Sequence, residues 1–289
     1  MFLLYSYAQF VGDNHTQILF MYFDLTEWLN VILHWIHVFA GILWIGQTYF
    51  FTWLDSRFAE IMKKNSEKTA DDRVWMVHSG GFYIVEKQNV PKLMPTILHW
   101  FRWEAAITWL TGIALLALVY WHGGLMVEET KDETTAILVG VGLLILAWPV
   151  YELLWRSPLG KNEWIGASIS FALIVLVAFG LTHYMGGRAA YMHVGAMFGT
   201  IMATSVWVTI IPAQRKMVAA LKVGREPDLA LAHRAKACSR HNTFMAMPLV
   251  FIMISNHFPT ATYGAEMGWL VLAALVLAGW GAAKIVRRV

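Results

Sequence analysis

Seven long apolar stretches constrain this chain more than any other feature of its sequence. Each has roughly the 20 residues that an α-helix needs to cross the hydrocarbon core of a bilayer. Charged residues make up 14% of the chain, against ~25% in a soluble domain, and sustained period-two alternation, typical of membrane strands, is missing. The sequence therefore predicts an all-α fold, a polytopic membrane bundle of about seven transmembrane helices: Trp28–Leu54, Leu98–His122, Thr134–Trp155, Trp164–Tyr184, Arg188–Pro212, Arg240–Phe258 and Glu266–Val286.

Basic residues orient this predicted bundle. Of the 22 Lys and Arg residues, nineteen fall in the segments on one side of the spans and two, Lys131 and Arg188, on the other, with Arg102 inside a span. Loops rich in Lys and Arg stay in the cytoplasm. The N-terminus is therefore expected outside and the C-terminus in the cytoplasm, in a multi-pass protein of the cell's inner membrane.

The segments between the spans complete the predicted organisation. Residues 1–27 are expected to be an N-terminal extension, either an upstream segment or a helix along the membrane surface, and 28–289 to be the transmembrane domain. Of the two long cytoplasmic loops, 55–97 is expected to cap the bundle, with a tight turn at Gly80-Gly81. The other loop, 213–239, is expected to extend the fifth span as a helix, break at Gly224 to Pro227, and re-enter as a short helix.

Histidines in the predicted spans fall into two tiers. His37 and His193 lie ~6 Å and ~10 Å outside the midpoints of their spans, whereas His99 and His241 lie ~16 Å and ~12 Å toward the cytoplasm. Neutral imidazoles from two helices at matching depth suit the iron of b-type haem. The hypothesis is haem b, one or two groups, held by His37 and His193, by His99 and His241, or by both pairs. The other interpretation is that these rings hydrogen-bond within the core.

Polar groups near the cytoplasmic ends of the spans are candidates for function, because ionisable side chains are costly in a bilayer. Arg102 has a planar fork that suits carboxylate-like anions, although snorkelling to lipid headgroups is the alternative. Glu104 lies deeper and needs a partner or a proton. Asn242 follows His241 at the start of the sixth span.

Several segments together resemble the membrane-bound urate hydroxylases, the urate oxidase N-terminal domain family. The likeness extends from about Met21 to the C-terminus and rests on these segments: His37–Asp55, Val77–Tyr83, Leu98–Glu104, Arg156–Gly160, Gly187–Met197, Ile211–Arg215, His241-Asn242 and Met253–His257. The resemblance implies oxidation of urate to 5-hydroxyisourate, with electrons passed toward the respiratory chain.

The chain departs from the family pattern at its end. Family members commonly carry an eighth span and a fused cytochrome c domain, whereas this chain ends at Val289 after seven predicted spans and has one cysteine and no CxxCH motif. A cytochrome c, or another respiratory acceptor, is therefore expected on a separate chain. The other expected partners are urate and membrane lipids, and no nucleic acid is expected.

The resemblance, combined with the two tiers, suggests a mechanism. Urate is expected to bind at the inner face through Arg102, Asn242, Gly80 and Gly81. As water adds at C5, a proton passes to one of three groups: His99, His241 or Glu104. These three groups, together with Arg102 and Asn242, form the predicted catalytic set, and electrons move outward to haem iron held by His37 and His193.

Two other functions compete with this hypothesis. One is a haem-binding electron-transfer subunit of the membrane that has no urate site. The other is a transporter of purines or metal ions, for which Pro149 and Pro248 interrupt spans. Transporters usually show such breaks in paired positions of an internal repeat. No repeat is visible, so the transporter ranks last.

Overall fold

The computed structural model describes residues 25–64, 73–88, 97–128 and 131–287 of the chain. These residues form eight α-helices and one β-hairpin. The helices are α1 (Leu25–Lys64), α2 (Trp103–Leu115), α3 (Glu133–Arg156), α4 (Glu163–Tyr184), α5 (Gly187–Thr204), α6 (Ile211–Lys222), α7 (Leu229–Ile254) and α8 (Gly268–Val286), and the antiparallel strands are β1 (Arg73–His78) and β2 (Gly81–Glu86). The predicted extension 1–27 lies outside the described residues up to position 24.

Six of the described helical segments are long and apolar enough to cross a membrane: Leu25–Lys63, Trp103–Trp121, Glu133–Arg156, Glu163–Tyr184, Gly187–Lys222 and Gly268–Val286. Helix α7, which contains the predicted span Arg240–Phe258, is not among them. Its apolar sequence is interrupted by Arg240, His241 and Asn242. The mostly helical architecture follows the prediction. By length and composition, the described residues contain six candidate spans where the sequence predicted about seven.

Helix boundaries follow local capping chemistry. Asp132 accepts a hydrogen bond from the Thr135 backbone N–H at the start of α3, and Asn162 accepts two at the start of α4, so each supplies an acceptor to exposed N–H groups. Helix α5 continues through a π-helical turn, Ser205–Ile210, into α6. The chain then breaks and α7 begins at Leu229, which confirms the predicted helical extension and break.

Two predicted boundaries are wrong, and both lie near the same end of the bundle. Helix α1 does not end at Leu54 but continues to Lys64, so the first part of predicted loop 55–97 is helical. Helix α2 begins at Trp103 rather than Leu98, and 97–102 is irregular. A run of apolar residues marks a span but does not fix where its helix begins.

Helix α5 occupies the centre of the bundle. Its apolar window is 67% buried, against 11–28% for the other apolar helices, and it contacts α2, α3, α4 and α7. Small residues permit this close approach: a Cβ added to Gly195 would lie 2.9 Å from Ile252 and Met253 of α7. Helix α1 lies at the periphery and packs mainly on α2.

The β-hairpin lies beside the end of α1. Val74 and Val85 of the hairpin pack on Leu54, Phe58 and Ile61, which share one face of the helix. The predicted tight turn is confirmed, with Ser79 and Gly80 at φ +51° and +77°. The hairpin is anchored to the side of α1, and a two-stranded sheet was not predicted from the sequence.

Candidate active site

A cavity of about 1060 Å³ lies at the basic end of the bundle, where α1, α3, α6 and α8 end and α2, α4 and α7 begin. It follows α1 from Trp44 to Glu60, which corresponds to roughly 24 Å along the helix axis. Its other walls come from His99–Phe101, from the beginning of α7, and from the π-helical turn and α6 through Val206, Ile210 and Gln214, with single contributions from Glu163 and Arg287. Ligand pockets for drug-sized molecules span roughly 300–1,000 Å³, so the cavity has ample room for a small ligand.

The α1 wall of the cavity is polar because hydroxyl residues recur along one helical face. Thr48, Thr52 and Ser56 follow one another at four-residue spacing, and each donates a hydrogen bond to the backbone carbonyl four residues earlier. The stripe contacts the opposite wall: the Thr52 and Thr243 hydroxyls lie 3.5 Å apart, and Ser56 also donates to the Arg287 carbonyl at 3.3 Å. An otherwise apolar helix therefore presents a hydrophilic surface to the cavity.

Asn242 is the most informative residue of the cavity wall. Its side chain is only 4% exposed, and its Nδ2 donates to the Met202 carbonyl at 3.2 Å. Its Oδ1 is buried without a hydrogen-bond partner. A buried amide oxygen left unpaired costs about 1–3 kcal/mol. Asn242 thus brings an unpaired acceptor to the cavity wall, where the amide oxygen is enclosed by protein atoms.

The charges around the cavity favour an anion. Three carboxylates line it, and each is engaged: Asp55 with Lys87, Glu60 with Arg57, and Glu163 with Arg240. Within the described part of the chain, Arg287 and Lys236 line the cavity without a carboxylate at ion-pair distance. Burial, and after it the nearby charge of Arg240, lower the pKa of Arg287. An anionic ligand beside Arg287 would offset both effects.

His99 lies at the other end of the cavity, among aromatic rings. It belongs to the irregular segment 97–102, and its ring packs edge-on against Phe101 at 4.5 Å between centroids. Phe101 in turn meets Phe51 of α1 at 5.1 Å. His99 therefore lines the cavity, although it precedes α2 instead of opening it as predicted.

Arg102 does not line the cavity. It is the N-cap residue of α2, and its guanidinium lies over the rings of Trp103 and Trp207 at 5.4 Å and 5.6 Å from their centroids. Its Nε is buried without a partner. The structure therefore gives Arg102 a place beside the site, held by cation–π contacts, and no direct path to a ligand in the cavity.

Glu104 reaches the cavity through another residue. Its Oε1 accepts a hydrogen bond from Gln47 Nε2 at 3.1 Å, and Gln47 lines the cavity. An amide nitrogen carries two hydrogens, so one remains for a ligand. Glu104 thereby fixes the orientation of the Gln47 amide.

His241 points away from the cavity, although it adjoins Asn242 in sequence. Its Nδ1 is 2.8 Å from the Tyr151 hydroxyl, and its ring lies 4.0 Å from that of Trp155. Successive residues on a helix point about 100° apart. The predicted pair is therefore divided, with Asn242 at the cavity and His241 against α3.

Gly80 and Gly81 form the hairpin turn and do not line the cavity. The hairpin rests on Leu54 and Phe58, which lie on a different face of α1 from the polar stripe. Its link to the site is the ion pair between Lys87 and Asp55. The structure thus provides no contact through which the two glycines would touch a ligand in this cavity.

The outer pair, His37 and His193, is packed against glycines. Each donates its Nδ1–H to a backbone carbonyl, His37 to Thr108 at 2.9 Å and His193 to Ala189 at 2.8 Å. This is the usual orientation of a metal-ligating imidazole. A Cβ added to Gly112 would lie 2.9 Å from the His37 ring.

His193, however, does not fit an axial ligand of haem in this packing. Its Nε2 accepts a hydrogen bond from Trp121 at 3.3 Å, and a Cβ added to Gly140 would lie 2.6 Å from the same atom. The residue is 0% exposed. Protein atoms therefore fill the position at His193 Nε2 that a haem iron would occupy. Haem ligation stays a prediction from the sequence. The described residues also contain no group of three or more His, Cys, Asp or Glu side chains that could hold a metal ion.

Several cavity residues were missed by reasoning from the sequence. Gln47 and the hydroxyl stripe on α1 carried a readable signal, since polar residues at four-residue spacing in an apolar span indicate an interior polar face. No such sequence signal marked the basic residues His233, Arg240 and Arg287, because basic residues near span ends are equally typical of membrane anchoring.

The fold and cavity together define a bundle of long apolar helices, compatible with a multi-pass membrane protein, with an anion-favouring cavity at its basic end. The chain belongs to the urate oxidase N-terminal family, which matches residues 23–287. Membership indicates a urate-related function and an enzyme of the oxidoreductase type. Neither the curated proteins nor the solved structures contain a match to the chain.

Proposed function

We propose that this protein is a urate oxidoreductase of the cell's inner membrane, which converts urate to 5-hydroxyisourate in the cavity at its basic end. By the distribution of Lys and Arg, this end faces the cytoplasm, where urate is made. The unpartnered Oδ1 of Asn242 carries the proposal, because Asn242 lines the cavity and a purine trione presents N–H groups that match this acceptor. Family membership supports the substrate.

Urate binding uses both polarity and charge. Urate is a planar anion, and Arg287 supplies a cation that has no carboxylate partner in the described part of the chain, while Asn242 accepts from a ring N–H. Arg240 contributes positive potential although it is paired with Glu163. A fixed acceptor and a fixed cation hold the ligand in one orientation, which is a prerequisite for attack at a single carbon.

His99 is the proposed proton acceptor. Oxidation of urate removes two electrons and adds the oxygen of water at C5, so the water and a urate N–H each release a proton. His99 lines the cavity and is exposed enough to exchange protons with solvent. A neutral imidazole has a nitrogen that can accept a proton and suits general base catalysis. Glu104 acts indirectly, because its hydrogen bond orients the Gln47 amide.

Electrons released from urate go to an acceptor that is a separate component. The sequence predicts a cytochrome c, or another respiratory acceptor, on another chain. Transfer through haem b stays a prediction from the sequence, which an absorption spectrum of the purified protein tests.

The test of the proposed function is an anaerobic assay with an artificial acceptor. Purified protein in lipid nanodiscs, mixed with urate and ferricyanide, is expected to reduce two ferricyanide per urate and to form 5-hydroxyisourate. Asn242→Leu is expected to lose most of this activity. A wild-type sample that folds and binds lipid, yet oxidises no urate under these conditions, would contradict the proposal.

A further inference from the structure

The cavity has two chemically different ends. At the cytoplasmic end, Asn242, Arg287 and the ion pair of Glu163 with Arg240 surround the proposed urate position. At the other end, the lining is aromatic, and it comes from α1 and the segment before α2: Trp44, Phe51, Trp100 and Phe101. The aromatic end lies one to three helical turns further along α1 from Ser56. Urate recognition uses only the polar end.

The aromatic end includes side chains that are exposed on the outside of the bundle. Phe51 is 42% exposed and Phe101 45% exposed, and the two rings are in contact. Ile97, at the beginning of the same segment, is 88% exposed. Exposed aromatic side chains near the end of a membrane span are in reach of lipid-soluble molecules, and Phe51 and Phe101 also line the cavity.

Polar groups also line this aromatic end of the cavity. The Gln47 amide has one hydrogen left after its bond to Glu104, and the His99 ring lies beside Phe101. Aromatic walls with a few fixed polar groups are typical of sites for flat organic ligands. The arrangement suits a planar ring that carries carbonyl oxygens and an apolar tail.

We propose that the aromatic end of the cavity binds a membrane quinone, which accepts the electrons of urate directly. This proposal rests on the proposed function and names its acceptor. A quinone is a flat, lipid-soluble dicarbonyl that takes up two electrons and two protons. Gln47 and His99 donate hydrogen bonds to the quinone oxygens, and Phe51 and Phe101 pack on its ring.

The reaction balances without a further redox group. A bond forms between C5 of urate and the oxygen of water, and two protons leave, one from the water and one from a urate N–H. Two electrons leave the purine. The quinone takes both electrons and two protons, and its carbonyls become hydroxyls. Urate, water and quinone thus give 5-hydroxyisourate and quinol, and both ligands are proposed to bind in one cavity.

The experiment compares three acceptors in nanodiscs without air. Wild-type protein with urate is given a decyl-substituted ubiquinone, ferricyanide or soluble cytochrome c, and quinol and 5-hydroxyisourate are measured by chromatography. One quinol per urate consumed is expected. Phe101→Ala is expected to raise KM for the quinone roughly tenfold, which corresponds to about 1.4 kcal/mol, while its ferricyanide rate changes far less. Phe51→Ala serves as a second variant of the same wall.

A matched control is available on the same helix. Phe39 of α1 is 61% exposed but lies outside the cavity. Phe39→Ala is therefore expected to change neither the KM for the quinone nor the rate with ferricyanide. Quinone binding without urate is followed separately, by quenching of the fluorescence of Trp44 and Trp100.

Two outcomes distinguish the quinone proposal from the proposed oxidation of urate on which it rests. Urate oxidation that reduces ferricyanide or cytochrome c but yields no quinol overturns the quinone site and leaves the proposed function standing. Failure of all three acceptors overturns the proposed function itself. Equal quinone KM in Phe39→Ala and Phe101→Ala would remove the aromatic end as the place of binding.

Discussion

Two regions of this bundle contain the polar residues that its sequence marks for chemistry, and they differ in how those residues are satisfied. Around His193, both ring nitrogens have partners and Gly140 leaves no free space. In the cavity, Asn242 Oδ1 has no partner and Arg287 faces open volume. A buried polar group with every hydrogen bond made is a structural element, whereas an unpaired one in the wall of a cavity is a candidate for binding a ligand.

The difference shows why residue type alone is a poor guide inside a membrane. A histidine is costly to bury in lipid and therefore attracts attention. Hydrogen bonds from His193 to Ala189 and from Trp121 offset much of that cost. An asparagine is less conspicuous in the sequence, yet its unsatisfied oxygen makes a stronger case for binding.

The largest effect is expected at the cavity. Asn242→Leu removes the acceptor that urate is proposed to use and fills its place with an apolar group. A ligand N–H group left buried without an acceptor costs about 1–3 kcal/mol, so kcat/KM for urate should fall by roughly 10- to 100-fold. Urate-dependent reduction of ferricyanide measures this, with thermal unfolding to confirm the fold.

Asn256 provides the matched control for that substitution. Its amide accepts from Arg188 and donates to Met192 near the other end of the bundle. Asn256→Leu should lower stability by about 1 kcal/mol and leave the urate KM unchanged. Equal losses of urate turnover in both variants would mean that Asn242 acts through stability and not through binding.

A glycine pair tests the packing around His193. In Gly140→Ala the new Cβ would lie 2.6 Å from His193 Nε2, whereas in Gly142→Ala, on the same helix, it would meet nothing within 4 Å. Gly142→Ala should therefore gain up to ~1 kcal/mol from helix propensity. Gly140→Ala should lose about 1–3 kcal/mol through overpacking. Midpoints of thermal unfolding in one detergent compare them.

A gain in stability for both glycine variants would show that His193 has room to move. The region would then be open enough to accommodate a ligand, and the contrast with the cavity would disappear. Urate turnover per folded molecule should be the same in both, because neither glycine lines the cavity.

The sequence predicted the helical architecture because apolar runs of sufficient length leave a chain few alternatives in lipid. It also predicted the break between α6 and α7, where Gly224 adopts a positive φ and Pro227 precedes the new helix. It could not place the start of α2, since Leu98–Arg102 is as compatible with a helix as with the irregular segment observed.

The site was harder to predict than the fold. Asn242 and His99 line the cavity, whereas Arg102 and His241 do not. Their positions depend on Trp207 and Tyr151, which are distant in sequence. Tertiary contacts of this kind decide which of several polar residues faces a ligand, and hydrophobic periodicity does not report them.

A smaller effect is expected from the charge at the cavity's end. Arg287→Met removes a cation near the proposed urate anion, and KM for urate should rise roughly five- to tenfold, about 1 kcal/mol in binding. Salt should weaken urate binding more in the wild type than in the variant. The control is Lys284→Met, since Lys284 lies over Trp164 outside the cavity. A similar KM change in both would indicate a general effect of surface charge.

The smallest effect, and the sharpest test of the comparison, comes from Trp121→Phe. This change removes the N–H that donates to His193 Nε2 and keeps most of the aromatic packing. A neutral hydrogen bond contributes about 0.5–1.5 kcal/mol, and at 3.3 Å this one should lie at the lower limit. The unfolding midpoint should therefore fall slightly, with no change in absorbance between 350 and 600 nm (roughly the region of haem bands). If removing the indole instead produces or shifts a Soret band, then Nε2 has been freed for iron, and His193 belongs with the ligand-binding residues of this protein and not with its structural ones.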